Sequence, residues 1–166
     1  MDTGSDDGTQ DVIRNHMARL GIPGELHERP WRDFGHNRSE ALALARGHGD
    51  YIWVIDADDL VVGKPDFSRL SADAYLLHYR ESSARYWRRQ LFRDGLRWRY
   101  VGVVHERAVC ADPWSQSRLE GDYHIESRRL GSRSLDPQKD ARDRDLLLAD
   151  VERPPRQCAD GLLPGP

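Results

Sequence analysis

Three carboxylates within four positions, Asp56-Ala57-Asp58-Asp59, follow directly on the apolar run Tyr51-Ile52-Trp53-Val54-Ile55. Asp-x-Asp at a strand end puts carboxylate oxygens on one loop, as a hard divalent cation carrying a diphosphate requires. A solvated acidic turn is the plainer reading of the same residues. A second titratable pair, His105-Glu106, follows Val103-Val104 and so also stands at a strand end, where a base could draw a proton from a hydroxyl. Asn37 and Arg38 open a helix, a place where backbone N–H groups and a guanidinium can face phosphate, a surface salt bridge being the alternative. Asp2 begins the Gly-, Asp- and Ser-rich segment 2–9, the kind of loop that follows a strand; an Asx-turn or helix cap accounts for it equally.

The elements that must position these groups follow from periodicity. Five apolar residues bounded by charge predict an interior strand of a parallel sheet, and in open α/β sheets ligands gather outside the carboxyl ends of strands. A helix is expected over 9–20 with Val12, Ile13, Met17 and Leu20 on one face and Gly21 as its stop. Residues 25–29 read as a short strand ended by Pro30, and 35–47 as a helix with Ala41, Leu42, Leu44 and Ala45 on its apolar side. Strand alternating with helix predicts βαβ units, hence an α/β fold with a mostly parallel sheet flanked by helices. After Pro65 the pattern changes to strands at 73–79, 86–92 and 98–105, with turns at 81–83 and 93–95, a small antiparallel extension. A short strand near 123–125 and a charged helix over 137–150 complete one domain, 1–150. Residues 151–166, rich in Pro and Gly, read as a disordered tail. Trp31 and Phe34 read as packing residues.

Composition narrows the classes. The 166 residues suit one domain with a real core, 38% apolar and 32% charged, with formal net charge −3. Nothing there suggests general affinity for nucleic acid or acidic membranes. Cys110 and Cys158 lie far apart without a CxxC pattern, which argues against a disulfide scaffold or zinc cluster and fits a reducing cytosol. No apolar run approaches the roughly 18 residues of a membrane span.

Five segments in order resemble the family-2 glycosyltransferases of the GT-A (Rossmann-like) fold, in the branch of bacterial cell-surface and lipopolysaccharide-core sugar transferases. They are Asp2-Thr-Gly-Ser-x-Asp-Gly-Thr9, Glu28-Arg-Pro-Trp-x-Asp-Phe-Gly-His-Asn-Arg38, Ile55-Asp-Ala-Asp-Asp59, Val103-Val-His-Glu106, and Gly131-Ser-Arg-Ser134 with Lys139 and Asp143. The resemblance implies a metal-dependent, inverting transfer of sugar from a nucleotide-diphosphate donor to a hydroxyl of a glycan, lipid-linked or protein acceptor, by a cytoplasmic enzyme with peripheral membrane association open. It implies nucleotide-sugar contacts at Asp2, Asn37, Arg38 and Asp56, and Mg²⁺ or Mn²⁺ at Asp58 with His105 as a metal or diphosphate contact. Glu106 is then the base, with an exchange of roles between His105 and Glu106 left open, and Asp59 a supporting or turn residue. Members of the family carry a strand, a helix and a second strand ahead of the aspartate matched by Asp2. The resemblance therefore implies an N-terminally truncated chain, with an inactive fragment or non-catalytic nucleotide-binding remnant as the alternative. A haloacid-dehalogenase-type phosphotransferase also uses Asp-x-Asp, but Leu60 stands where its motif needs Thr or Val.

Overall fold

The computed structural model describes residues 1–128, 130–131 and 136–152. Helix α1 spans Thr9–Leu20 and stops at Gly21, whose left-handed backbone (φ 61°) lets its N–H and that of Ile22 close on Ala18 and Met17 carbonyls. Its expected apolar face is not sequestered: no α1 residue is fully buried, and Val12 is 68% exposed. Helix α2, Phe34–Ala45, begins where the Asp33 carboxylate accepts the His36 N–H at 2.7 Å, an N-cap. The strands are β1 (Tyr51–Trp53), β2 (Asp59–Gly63), β3 (Ala74–Glu81), β4 (Ala84–Arg93), β5 (Trp98–Val101), β6 (Arg107–Cys110), β7 (Gln116–Arg118) and β8 (Tyr123–Ser127), and helix α3 covers Lys139–Glu152.

The main sheet has the order β1-β4-β3-β8-β2, with β7 alongside β3. Only β3–β8 and β3–β7 are parallel; β1–β4, β3–β4 and β2–β8 are antiparallel, as is the separate β5–β6 pair. The expectation of a mostly parallel sheet is thus corrected to a mixed, mostly antiparallel one. The cause is local. Ser82 and Ser83 join β3 directly to β4, and a two-residue connection returns a strand antiparallel, whereas a parallel return needs a crossover of a dozen residues or more. The expected βαβ pattern survives at one place, where Asp2 and Glu28 form a parallel bridge across α1. The expected strand at 25–29 amounts to that single bridge.

The acidic-ended strand is also not interior. Among the described residues β1 pairs with β4 alone and forms an edge. Its apolar run has a different cause: alternate residues enter two cores. Tyr51 and Trp53 pack with Tyr75, Leu77, Tyr79, Leu91 and Ile125, whereas Ile52 and Val54 pack with Leu42, Phe92, Trp98 and Tyr100. A strand covered on both faces reads as continuous hydrophobicity wherever it lies in the sheet.

Helix α2 rests on β5, and the approach is close. Gly35 N–H donates to the Gly102 carbonyl at 3.1 Å, and a Cβ on Gly35 would come within 2.6 Å of that oxygen. Gly102 itself has φ 104°, a conformation that glycine adopts at little cost. This contact fixes the start of α2 against the loop carrying His105 and Glu106.

Candidate active site

β1 leaves the edge of β4 at Trp53, and the chain turns through Asp56, Asp58 and Asp59 into β2. Asp56 Oδ1 meets Arg38 Nη2 at 2.5 Å, and Asp56 Oδ2 meets Arg88 Nη1 at 3.1 Å. Both guanidiniums also face Glu106 Oε1, Arg38 Nε at 2.7 Å and Arg88 Nη2 at 3.9 Å. The Arg38 Nε contact is an ion pair without hydrogen-bond alignment. Two arginines and two carboxylates therefore close a ring drawn from α2, the β1–β2 turn, β4 and the β5–β6 loop. Glu106 is the least accessible member, its side chain 9% exposed. Burial pushes the Asp56 carboxyl up, but Arg38 and Arg88 outweigh it and hold it below the ordinary carboxylate value.

Aromatic residues line the ring. Arg38 lies over Tyr100 and Arg88 over Tyr79, each 5.8 Å from the ring centroid. Burial pushes the Tyr100 phenol up to about 12, so it stays a hydrogen-bond donor or acceptor rather than an anion. With its amide turned to suit its neighbours, buried Gln90 donates to Tyr100 Oη and accepts from Arg88 Nε, both at 3.1 Å. Arg88, Gln90 and Tyr100 had not been singled out in the sequence. Arg88 carries little signal by itself, because Arg89 and Gln90 follow it in the sequence.

The other expected site residues are engaged differently. Asp2 is buried and spends its carboxylate on its own loop, accepting from the Ser5 hydroxyl (2.5 Å), the Gly4 and Ser5 N–H groups and Gln10 Nε2. The Ser5 hydroxyl above all, with those N–H groups, lowers it to about 2. Asn37, also buried, accepts from Arg32 N–H at 2.9 Å and donates to the Pro30 carbonyl at 3.1 Å, clipping the segment ahead of α2. Asp58 Oδ2 accepts from the N–H groups of Leu130 (2.7 Å) and Gly131 (3.0 Å) and anchors the chain after β8. His105 has a left-handed backbone (φ 56°) and lines a cleft against Lys139, Asp143 and Leu147 of α3.

These placements bear on a divalent cation. Among the described residues no group of three or more His, Cys, Asp and Glu side chains could hold a metal ion, so Asp58 and His105 do not share a preformed cage. The electrostatics nevertheless favour a cation. Asp58 and Asp59 add negative charge to a ring that is already balanced. The Asp59 carboxyl is raised by burial and then by Asp56 and Asp58, and its buried Oδ2 has no hydrogen-bond partner among the described residues. Mg²⁺ typically takes only one or two protein carboxylates and completes its shell with substrate phosphates and water. Asp58 and Asp59 are the carboxylates that such a cation could use.

A cleft of about 710 Å³ opens beside the Asp2 loop, between Thr3, Trp31 and Phe34 on one side and Arg142, Leu146 and Ala149 of α3 on the other. Trp31 and Phe34 meet edge to face at 4.7 Å, and Trp31 stays 43% exposed. No helix among the described residues is long and apolar enough to cross a membrane.

Residues 1–70 match the family described as glycosyl transferase family 2. No curated protein matches the chain. The matched segment holds Asp2, Asn37, Arg38, Asp56, Asp58 and Asp59, whereas Arg88, His105 and Glu106 lie beyond it. The match supports a family-2 glycosyltransferase, implies a GT-A-like α/β fold, and suggests a nucleotide-sugar donor with an acceptor.

Proposed function

We propose that the ring of Arg38, Asp56, Arg88 and Glu106 is the centre of an inverting glycosyltransferase that moves a sugar from a nucleotide-diphosphate donor to an acceptor hydroxyl. One observation carries the reading: Arg38, inside the family-matched segment, touches both Asp56 and Glu106, so the Asp-x-Asp turn and the His-Glu loop share one site. Asp56 faces the nucleotide. Glu106 takes the proton from the acceptor hydroxyl as its oxygen attacks the anomeric carbon and the nucleoside diphosphate leaves. Arg38 and Arg88 orient Glu106 and stand ready to meet phosphate oxygens, which a guanidinium fork matches well. A divalent cation would be held by Asp58 and Asp59 and would neutralise charge on the leaving diphosphate. The nucleoside takes the cleft between Thr3, Trp31, Phe34 and α3, whose volume suits a ligand of that size.

Calorimetry with UDP and GDP, each with and without Mn²⁺, tests the donor side. Binding of at least one nucleotide, strengthened by Mn²⁺ and lost in Asp56→Ala, is the expected result. Absence of binding for both nucleotides under both conditions contradicts the reading.

A further inference from the structure

The transfer site uses one end of β4; the outward face of β3, β4 and β8 has no part in it. Register places the side chains of that face together. Leu76 stands opposite Arg89, His78 opposite Trp87 and Arg80 opposite Arg85, while Glu126 of β8 pairs with Arg80 and Arg118 of β7 pairs with Leu76. The second core, with α2 and β5–β6, covers this face at its Phe92 end, where Arg89 Nη1 reaches the Ala108 carbonyl. Beyond Arg89 it lies open, with Arg85, Arg118 and Glu126 exposed.

The charge here opposes that of the molecule. The chain carries −3 overall, yet among the described residues the register puts four arginines, Arg80, Arg85, Arg89 and Arg118, on this face beside Glu126. None of the four forms an ion pair among the described residues, and Arg80 Nε is buried without a hydrogen-bond partner. The aromatic groups serve the arginines. Arg118 lies over Trp87 at 4.9 Å and Arg89 over Trp114 at 4.5 Å, while His78 stacks on Trp87 at 5.3 Å. His124 is lowered by burial and then by Arg80 and His78, in keeping with a positive local potential.

We propose that this face is a second carbohydrate-binding surface, which takes a glycan bearing carboxylate or phosphate groups and lies apart from the transfer site. Arg85 and Arg89 stand four residues apart on β4, about 13 Å along the strand, a span that several acidic sugars can bridge. Guanidinium forks suit such groups bidentately. Single-stranded nucleic acid would need free aromatic faces for its bases, and Trp87 is already stacked by His78 and Arg118. A membrane surface would need apolar anchors, and among the described residues those exposed here are Leu60 at 45% and Trp114 at 37%, the latter overlain by Arg89. The choice of a sugar polymer among polyanions rests on the transferase reading.

The test is calorimetry of the full chain with hexagalacturonate, with maltohexaose as the neutral control. Hexagalacturonate should bind, more weakly as salt rises, and the double variant R85S/R118S should bind at least tenfold more weakly while keeping UDP affinity and melting temperature. No binding by the wild type, equal binding by the double variant, or equal affinity for maltohexaose overturns the proposal. Tighter binding of a twelve-residue oligothymidylate or of phosphatidylglycerol vesicles overturns it as well. Loss of UDP binding alone would count against the transferase reading and not against this surface.

Discussion

Arg38 Nε lies 2.7 Å from Glu106 Oε1, and the same guanidinium holds Asp56, so one helical side chain ties together two loops distant in sequence. The geometry depends on α2 starting where it does. Asp33 caps the helix, Asn37 clips the chain ahead of it, and Gly35 sits against Gly102, three residues before His105. Site and scaffold therefore share residues, and variants at the scaffold positions test the site.

Gly35→Ala is expected to be costly although α2 is an ordinary helix there. The added Cβ would fall 2.6 Å from a backbone oxygen that cannot swing away, so α2 and the 102–106 loop must separate. A loss of about 1–3 kcal/mol is expected for such overpacking. Urea denaturation measures it, and weaker UDP binding should accompany it. Wild-type stability in this variant would show that the loop yields freely.

Asp59 gives a test with a sign of its own. Its carboxyl is raised in the folded state by burial, Asp56 and Asp58, so its favourable contribution is present at low pH and is lost as pH rises through its folded value. Asp59→Asn should therefore raise the melting temperature at pH 7 and do little near pH 4. Millimolar Mg²⁺ should raise the wild type more than it raises the variant. Equal gains from Mg²⁺ in both proteins would remove Asp59 from the cation's surroundings.

Asp2 runs the opposite way. Its carboxyl is lowered from 3.8 to about 2, led by the Ser5 hydroxyl, so the stability it contributes is present above about pH 4 and is lost as pH falls toward 2. Thermal melts of wild type and Asp2→Asn should differ at pH 6 and converge near pH 2. A gap of constant size would mean that Asp2 acts without its charge.

Much of the site was legible because chemistry in a sequence is local. Asp56, Arg38 and Glu106 stood out through residue type and neighbours, and the structure brings those three into contact. Arg88 was missed because its role exists only once β4 passes the end of β1. The helices were legible nearly to their ends, since capping and stop residues mark them. The sheet was not. An apolar run reports how many faces are covered, and β1 is covered on both while lying at an edge, so the run could not reveal its neighbours. Strands β2, β6 and β7 were missed because most of their residues are half-buried or exposed and lack a clear alternation. The expectations for 132–134 and 153–166 lie outside the described residues.

The central claim is that Glu106 acts as a base on a sugar acceptor within the Arg38–Asp56–Arg88 ring. It is tested most directly by nucleoside-diphosphate release from a panel of UDP- and GDP-sugars, with Mn²⁺ and with water as the hydroxyl that takes the sugar, comparing wild type with Glu106→Gln. The account predicts release from at least one donor by the wild type. It predicts a fall of roughly 10²–10⁴-fold in kcat for Glu106→Gln, with KM for the donor within a few-fold and the melting temperature retained. Release by Glu106→Gln at the wild-type rate, or no release from any donor by the wild type, would contradict it.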